Sequence, residues 1–577
     1  MNLFSKYLDI IKTSILELLK DENIDVFDQS ILDKIVLEVP REFKNGDMST
    51  NAALVLASLL KLKPLIIADL ITKRLSLIGD FKEIKIAKPG FINFFLKNEI
   101  WHDMTFELLN NNSWKIENIG FNKNINLEFV SANPTGPLHA GHARGAIVGD
   151  ALASILEVVG YNVTREYYIN DAGSQIKLLV KSVYIRYLEQ VNKKSIKISD
   201  GLYPGKYLIS IGKIIKNKFG NKLINLDFDD FYKKIKNLVI KEILKLIKKD
   251  LSDLGIKMDT YTSETLILKN GYLDKVLKKL EQKQLIYIGI LDKPKGNTQT
   301  IEWESKPQLL FKSSLFGDDS DRALKKSDGS WTYFANDIAY HLYKLEKTKG
   351  DLINILGADH SGYLLRLESA VKALSSGKVL LNNKVCSIVH LIDDGQKLKM
   401  SKRDGNFVKL SSMIKDIGKD VIRFIMLTRR NDQVLEFDFK KAKEQSKDNP
   451  VFYVHYAYAR CKSILSKAKN IYNNEDFKNI KMINSIPELN LIKVISQWPK
   501  VVQLSAIHLE PHRVTFYLIN LASEFHSLWN RGKVDQSLKF LHDDEKLTLS
   551  KLALINAVML TLESGLKILS IKPMEKM

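Results

Sequence analysis

The chain has 577 residues, of which 45% are hydrophobic, and 87 basic against 67 acidic residues give it a formal net charge of +20. At roughly 100 to 200 residues per domain, this length predicts about three to five domains. The two cysteines are too few for a disulfide framework. No uninterrupted apolar run reaches the roughly 18 residues that a membrane-spanning helix needs. The positive charge favours an anionic partner such as nucleic acid, although solvated lysines spread along a lysine-rich chain explain it equally well.

Residues 1–110 mix helical and strand patterns, which predicts an α+β domain. The chain begins with apolar residues at helical spacing and charges between them: Leu8, Ile11, Ile15, Leu18 and Leu19. This pattern indicates an amphipathic helix of the mature protein and no secretion signal, so we expect a cytoplasmic protein without membrane contact. A second helical pattern covers 49–62, and a strand pattern at 84–96 is interrupted by Pro89-Gly90.

A strand, helix, strand pattern begins the next block. Ile125–Val130 reads as a short strand, a loop rich in Gly and Pro follows, a helical pattern begins at Gly141, and 163–169 reads as a second strand. His139 and His142 therefore lie where the helix begins, and free backbone N–H groups and the helix dipole attract phosphate there. Gly141 lets a nucleotide approach the backbone closely.

Two histidines in this position can donate hydrogen bonds to phosphate oxygens. The alternative is a surface loop with two unrelated histidines, because a lone H-x-x-H pattern is common. A zinc site is not indicated, since Cys386 and Cys461 are distant and no third ligand lies near the pair in sequence. We therefore predict a phosphate-binding turn and no metal site in the protein.

Residues 111–445 form the predicted nucleotide-binding α/β domain. Its middle part, about 180–320, is rich in lysine and helical in pattern, and is predicted to be an insertion between the two halves of the sheet. Beyond the insertion, Tyr333 and Asp337 lie four positions apart in a helical pattern and would share one face. Taken alone, they would be a partly buried aromatic ring and a charge on a helix surface.

Two further candidates follow strand patterns in the same block. Asp359 and His360 come after an apolar run, where open α/β sheets bind ligands, and we assign them no individual role. Lys399 to Lys402 (KMSK) follow the strand pattern Cys386–Ile392 across a turn. Two lysines in such a loop can neutralise the charge of a departing pyrophosphate, whereas an isolated lysine loop is usually solvated surface. Together, the histidine turn and the lysine loop indicate nucleotide-dependent activation of a substrate.

Residues 446–577 are helical in pattern almost throughout, which predicts an all-α domain. Tyr453, Tyr456 and Tyr458 lie near its start and could stack on unpaired RNA bases. Aromatic residues at helical spacing are more often part of a core, so both interpretations stay open for each tyrosine.

The chain resembles the class I aminoacyl-tRNA synthetases. Residues 139–142 (HAGH) look like their HIGH box with Ala in the second place, and 399–402 match their KMSK box. The arginyl branch is indicated by 128–142 (EFVSANPTGPLHAGH), 327–340 (SDGSWTYFANDIAY) and 357–363 (GADHSGY). The resemblance implies a Rossmann-type parallel-sheet catalytic domain with a helical insertion, an α+β N-terminal domain that contacts tRNA, and a helical anticodon-binding domain.

The same resemblance implies the site residues. The expected catalytic residues are His139, His142, Lys399 and Lys402. The residues expected to contact ATP are Ala132, Asn133, Pro134, Thr135, Gly136, Pro137, Leu138, His139, Ala140, Gly141, His142, Met400 and Ser401. The residues expected to bind arginine are Glu128, Asn133, Tyr333 and Asp337, and those expected to bind tRNA are Tyr453, Tyr456 and Tyr458.

The chemistry of arginine agrees with two of these residues. Its guanidinium is a planar, permanently charged fork, so a pocket that selects it over lysine should offer carboxylates, and Asp337 and Glu128 are the candidates. The resemblance further implies that arginine reacts with ATP and Mg²⁺ to give arginyl-adenylate, and that tRNA then takes the arginyl group. Family members commonly need bound tRNA for activation, and we expect this one to be a monomer.

Three alternatives compete with this interpretation. A cysteinyl enzyme shares the architecture but would need a zinc site, which two distant cysteines cannot supply. A non-catalytic RNA-binding relative would not need His139, His142, Lys399 and Lys402. An unrelated nucleotidyltransferase with a similar histidine motif would not need the C-terminal helical block.

Overall fold

A computed structural model describes residues 2–21, 30–291, 306–398, 408–446, 448–468 and 479–577. The chain forms two compact units. One unit combines Met1–Ile119 with Gln445–Met577, and the other is Gly120–Glu444. Lys399, Met400, Ser401 and Lys402 lie outside the described residues.

The N-terminal part of the first unit is an α+β structure. Its helices and strands are α1 (Leu3–Asp21), α2 (Ser30–Asp33), β1 (Leu37–Glu38), β2 (Met48–Thr50), α3 (Ala52–Leu60), α4 (Pro64–Leu75), β3 (Phe81–Ala87), β4 (Phe91–Leu96) and α5 (Asn98–Asn111). The four strands pair antiparallel in the order β1-β2-β4-β3. The amphipathic first helix is confirmed, because its apolar residues from Ile11 to Leu19 supply most of its buried face. The hairpin turn between β3 and β4 contains Pro89 and Gly90, the two residues that interrupt the strand pattern.

The second unit contains the predicted α/β fold. Its elements are β5 (Asn124–Glu128), α6 (Ala140–Val158), β6 (Asn162–Ile169), α7 (Ser174–Asn192), α8 (Tyr207–Phe219), α9 (Phe228–Asp253), β7 (Thr260–Ser263), α10 (Glu264–Lys269), α11 (Tyr272–Gln282), β8 (Ile286–Gly289), β9 (Gln308–Phe311), β10 (Arg322–Lys325), α12 (Tyr333–Thr348), β11 (Asp351–Gly357), α13 (Leu364–Ser375), β12 (Leu381–Cys386), β13 (Val389–Asp393), β14 (Gln396–Lys397), α14 (Leu410–Ile417), α15 (Lys419–Met426), β15 (Leu435–Asp438) and α16 (Phe439–Lys443).

Five of these strands form a parallel sheet in the order β12-β11-β5-β6-β7. β5 lies at the centre, and its residues after the first are buried, as expected for a strand covered on both faces. The chain leaves β5 towards β6 on one side and returns to β11 on the other side. This reversal makes the carboxyl end of β5 a topological switch point, where open α/β sheets bind ligands.

The segment between β6 and β11 contains the predicted helices, of which α9 is the longest. It also contains β7, which pairs with β6 and so extends the main sheet. Strands β8, β9 and β10 form a separate antiparallel sheet, and β14, β13 and β15 form another small sheet. The sequence pattern missed β7 because four residues are too few to establish a period of two.

The C-terminal part of the first unit is helical. Its helices are α17 (Pro450–Ala468), α18 (Ile486–Ser496), α19 (Trp498–His508), α20 (His512–Arg531) and α21 (Glu545–Ile568). Short 3₁₀ helices occur in the described chain at Phe43–Asn45, Ser313–Phe316, Ala358–Tyr363 and Gln536–Leu538. Helix α21 has the length and hydropathy of a membrane span, but 67% of its most apolar window is buried, and it packs against α17, α18 and α20.

Contacts between the two ends of the chain hold the first unit together. Nζ of Lys493 lies 2.7 Å from Oδ1 of the buried Asp47, and Nζ of Lys500 donates to the carbonyl oxygen of Leu37 at 2.6 Å. The Nε2 atom of His102 donates to the carbonyl oxygen of Ile483 at 2.7 Å. These polar contacts join the N-terminal sheet and α5 to the C-terminal helices.

Candidate active site

The two histidines of the HAGH turn form the cap of α6. His139 is the N-cap residue, and its Nδ1 atom accepts from the backbone N–H of Gly141 at 3.1 Å. The Nδ1 atom of His142 accepts from the backbone N–H of His139 at 3.3 Å, and the two rings stack with centroids 3.8 Å apart. Because both Nδ1 atoms accept, the proton of each neutral ring is on Nε2, the tautomer that can donate to an anionic oxygen.

The segment that follows the lysine loop is bonded to this turn. Ala140 donates its backbone N–H to the carbonyl oxygen of Val408 at 3.0 Å, and Leu410 donates to the carbonyl oxygen of Leu138 at 3.1 Å. On the other side of the loop, Leu398 donates its N–H to the carbonyl oxygen of Leu391 at 2.9 Å. The described residues on both sides of the loop are therefore fixed, and one side is fixed to the histidine turn.

A cavity of about 460 Å³ opens beside the turn. Its lining includes His139, Gly141 and His142, Gly357 and Asp359 at and just after the carboxyl end of β11, and further residues that follow β12. The cavity thus lies at the switch point of the sheet. Its dimensions and its position at a helix N-terminus suit a nucleotide with its phosphates near the histidines.

The other residues expected to contact ATP have a different environment. Asn133 is exposed, and its Nδ2 atom donates to Gln175 at 3.1 Å. The buried members of the group are Ala132, Pro134, Thr135, Gly136, Pro137, Leu138 and Ala140. Gly136 lies beneath Tyr207, whose hydroxyl donates to the carbonyl oxygen of Thr135 at 2.7 Å, and a Cβ atom at Gly136 would lie 2.7 Å from that hydroxyl. Tyr207 of the inserted segment therefore packs closely against this loop.

Glu128 lies at the end of β5 and is part of a buried ion pair. Its Oε2 atom is 2.8 Å from Nζ of Lys344, and its Oε1 atom accepts from the hydroxyl of Ser131 at 2.9 Å. Burial by itself would raise the pKa of Glu128, but the charge and hydrogen bond of Lys344 lower that pKa below its ordinary value. Glu128 is therefore ionised and held in one orientation.

Asp337 is the second carboxylate of the site and is half-buried, and among the described residues it has no cation as close as Lys344 is to Glu128. It accepts from the hydroxyl of Tyr363 at 2.7 Å. Burial raises the pKa of Asp337 to about 7 despite this hydrogen bond, and the negative charges of Glu264 and Glu128 add to the rise. Tyr333, one turn earlier on α12, is 65% exposed. This arrangement offers a carboxylate that a bound cation would stabilise.

Two further residues near Asp337 and Glu128 were not predicted from the sequence: Glu264 and Lys344. Glu264 begins α10, is buried, and accepts from Nδ2 of Asn336 at 3.1 Å; burial raises its pKa. Glu264 follows the short strand β7 and belongs to no sequence motif, so no local pattern indicated that it lies at the site. Lys344 lies seven positions after Asp337 on α12, and that spacing on one helix face was a usable signal.

The three tyrosines expected to bind RNA lie on α17 and differ in exposure. Tyr458 is only 4% exposed, Tyr453 is half-buried, and Tyr456 is 38% exposed. The guanidinium of Arg460 lies 4.0 Å from the ring centroid of Tyr456 and donates to its hydroxyl at 2.6 Å. The ring centroid of Trp529 lies 4.8 Å from the same guanidinium. Tyr456 and Arg460 together form an aromatic, positively charged surface.

Among the described residues, no group of three or more His, Cys, Asp or Glu side chains could hold a metal ion. The side chain of His360 lies outside the described part of the chain.

Comparisons with known proteins cover the chain from end to end. Family models match at residues 9–96 (arginyl tRNA synthetase N-terminal domain), 104–448 (tRNA synthetases class I (R), catalytic domain) and 454–577 (DALR anticodon binding domain).

Individual relatives match over nearly their whole length. The arginine–tRNA ligase of Ehrlichia chaffeensis is 48% identical over 564 residues, 97% of this chain and 97% of that protein. The arginine–tRNA ligase of Rickettsia bellii is 44% identical over 585 aligned residues, 100% of both chains. Among solved structures, Thermus thermophilus arginyl-tRNA synthetase has a TM-score of 0.76 at 21% identity, covering 99% of this chain and 100% of that chain. That structure supports the fold.

Proposed function

The chain belongs to the arginyl-tRNA synthetases, the class I ligases that join arginine to tRNA, and we propose which of its residues perform each step. Adenylate formation and transfer to tRNA follow the general route of the family. In our proposal, the phosphates of ATP lie against His139 and His142, Lys399 and Lys402 close over them, and arginine lies between Glu128 and Asp337.

The observation that carries this proposal is the pair of backbone hydrogen bonds between the histidine turn and the segment after the lysine loop. Val408 and Leu410 are bonded to residues 138–140 on either side of His139. Val408 lies only six positions after Lys402. The histidine turn and the lysine loop are remote in sequence. These hydrogen bonds bring a segment that begins six residues after Lys402 to the histidine turn, which supports our proposal that both act on one triphosphate.

Arginine recognition rests on the unequal environments of the two carboxylates. Glu128 already has a cation, Lys344, so its remaining acceptor capacity is suited to the amino acid's α-ammonium, together with the amide of Asn133. Within the described part of the chain, Asp337 has no such cation at hydrogen-bond distance, and burial disfavours its charge. A guanidinium would supply the missing positive charge and two aligned donors, and Glu264 would strengthen the attraction. Tyr333 is placed to cover the side chain.

The first step needs positioning and charge stabilisation more than a covalent enzyme nucleophile. The carboxylate oxygen of arginine attacks the α-phosphorus, the bond to the β-phosphate oxygen breaks, and pyrophosphate leaves. The Nε2–H groups of His139 and His142 and the ammonium groups of Lys399 and Lys402 stabilise the charge that develops. In the second step a terminal ribose hydroxyl of tRNA attacks the arginyl carbonyl and AMP leaves.

Magnesium supplies charge neutralisation to the triphosphate in such reactions. In our proposal, Mg²⁺ is bound mainly through the phosphates of the substrate. No step above is assigned to it.

We further infer that the enzyme acts in the cytoplasm, since Cys386 and Cys461 are both free thiols, and that it is a monomer, since one chain supplies every side chain invoked. For tRNA, the proposed contacts are Tyr456 with its neighbour Arg460, and to a lesser degree the half-buried Tyr453. The low exposure of Tyr458 favours a packing role within the same helix.

The test is arginine-dependent exchange of pyrophosphate into ATP, with and without tRNA, followed by arginylation of tRNA. We expect both activities with arginine, and neither with lysine or citrulline, which lack a charged fork. A folded protein that shows neither activity with arginine would contradict the proposal.

A further inference from the structure

Asp250 reaches the histidine turn from a helix that carries none of the residues proposed above. It lies in the last turn of α9 and is 5% exposed. Its Oδ2 atom accepts the backbone N–H of Leu138 at 2.8 Å, across a sequence separation of 112 positions. Leu138 is fully buried and directly precedes the N-cap residue His139.

This hydrogen bond complements the backbone contacts on the other side of the turn. The carbonyl oxygen of Leu138 accepts from Leu410, and the N–H of Ala140 donates to Val408. Residues 408–410 thus fix the peptide groups on both sides of His139, and α9 fixes the preceding peptide group, between Pro137 and Leu138. Since the Nδ1 atoms of both histidines are bonded to backbone N–H groups of the same turn, the direction of both rings follows the position of this backbone.

A carboxylate in this place is unfavourable unless the hydrogen bond compensates for its burial. Burial raises the pKa of Asp250 to about 6, and the N–H of Leu138 limits the rise. The charges that face it are Lys249 and Asp253 on its own helix and Lys409 from the segment before α14. Lys249 is already paired with Asp253 at 2.6 Å. Asp250 is therefore a buried acid whose direct contact is the histidine turn.

We propose that Asp250 is a positioning residue for adenylate formation: it fixes Leu138 and thereby aims His139 and His142 at the triphosphate. This inference rests on the proposed role of the two histidines. Asp250 touches neither substrate and acts only through the turn. Its loss should therefore impair the use of ATP and leave the arginine pocket unchanged.

The experiment compares Asp250→Ala with Asp250→Asn in pyrophosphate exchange, with tRNA present. In Asp250→Ala we expect kcat/KM for ATP to fall about 10- to 100-fold, because small misplacements of catalytic groups have effects of this size. The KM for arginine should stay within about twofold in the same variant. Asp250→Asn keeps an oxygen that can accept the N–H of Leu138 and should stay within about threefold of the wild type for ATP.

A matched control is Asp253→Asn, which removes an acidic residue one turn away whose carboxylate pairs with Lys249 at 2.6 Å. It should have the wild-type kcat/KM for ATP. Equal values for Asp250→Ala and the wild type, with a lower midpoint of thermal unfolding, would overturn the positioning role and leave a purely structural one.

If Asp250→Ala does not fold, Asp250→Glu decides the question. That variant keeps the charge but moves the carboxylate by one methylene, so we expect a lower kcat/KM for ATP with an unchanged KM for arginine. A wild-type value for ATP in folded Asp250→Glu would overturn the inference. Failure of the proposed function itself is distinguishable, because the wild-type protein would then lack arginine-dependent exchange.

Discussion

Nζ of Lys344 lies 2.8 Å from Oε2 of Glu128, and both side chains are buried. The same ammonium donates to Oδ1 of Asn354 at 2.8 Å, and Nδ2 of Asn354 lies 3.1 Å from Nε2 of His341. Nδ1 of His341 donates to the carbonyl oxygen of Asp337 at 2.7 Å. Burial lowers the pKa of His341 to about 3, so the ring stays neutral and can donate from one nitrogen and accept at the other. One hydrogen-bonded network therefore connects Glu128 to the backbone of Asp337.

The first prediction concerns this ion pair. Lys344→Met leaves Glu128 buried without its cation, and breaking a buried pair in this way costs about 3–5 kcal/mol. Chemical denaturation should reveal the loss as a lower free energy of unfolding. The double variant Lys344→Met with Glu128→Gln removes both charges and should recover much of the stability. Unchanged stability in the single variant would contradict the description of the pair.

The second prediction follows from the pKa of Asp337. In the unfolded chain a carboxyl group has the ordinary pKa, whereas folding raises that of Asp337 to about 7; between these values the native state binds more protons, so this group makes the free protein less stable as pH rises. Arginine binds the ionised form, so its affinity should rise as pH increases from about 6 to 8, by up to about tenfold per unit below the pKa.

Calorimetry in two buffers with different ionisation enthalpies measures the coupling directly. Arginine binding near pH 7 should release about half a proton, because the guanidinium drives Asp337 to its ionised form. Asp337→Asn should bind arginine weakly and without proton release. The same release in that variant would assign the titration to a different group.

The third prediction separates the capping role of His139 from its chemical role. Asn is a good N-cap residue, so His139→Asn should retain the stability of α6, whereas His139→Ala should lose about 1 kcal/mol. Both variants lack the imidazole and should slow adenylate formation by about 10²- to 10³-fold, the effect of removing one donor to a developing charge. Single-turnover kinetics and thermal unfolding distinguish the two roles. A fully active His139→Asn variant would exclude His139 from catalysis.

The fourth prediction concerns the lysine loop. Lys402→Ala should slow activation far more than it weakens tRNA binding, because its ammonium is assigned to the departing pyrophosphate. Exchange kinetics measure the first effect, and a filter-binding isotherm measures the second. Equal losses in both assays would argue for an electrostatic contact with RNA.

The fifth prediction uses the unequal exposure of two tyrosines on α17. Tyr456→Ala should weaken tRNA binding by about 1–3 kcal/mol, the usual value of a base stacked on an aromatic ring, with unchanged stability. Tyr458→Ala should instead lower the stability, since that ring is 4% exposed. The reverse pattern would place the RNA contact at the buried tyrosine and refute the surface formed by Tyr456 and Arg460.

The histidine turn could be predicted because its signals are local. A strand, a Gly- and Pro-rich loop and a helix start follow one another around His139, and each has its own pattern. The helical C-terminal region was predictable because long periodic segments dominate it, whereas the parallel sheet was implied by the resemblance to the class I synthetases. The roles of the individual residues stay predictions.

Asp250 and Glu264 could not be found in this way. Asp250 meets Leu138 across 112 positions, and Glu264 lies near Asp337 in the proposed arginine pocket because β7 joins the main sheet beside β6. Such contacts depend on tertiary packing, which a single sequence does not encode in any short window. Lys344, in contrast, could have been predicted from the sequence, because its spacing places it on the same helix face as Asp337.

The division of the chain into units has a consequence for synthesis on the ribosome. Met1–Ile119 emerges first, but the partners of Leu37, Asp47 and His102 are Lys500, Lys493 and Ile483, which are translated much later. The intervening Gly120–Glu444 is contiguous and can complete its own core beforehand. Met1–Ile119 is thus translated well before it can acquire its final structure, and a nascent chain stalled before residue 479 should expose it to proteases.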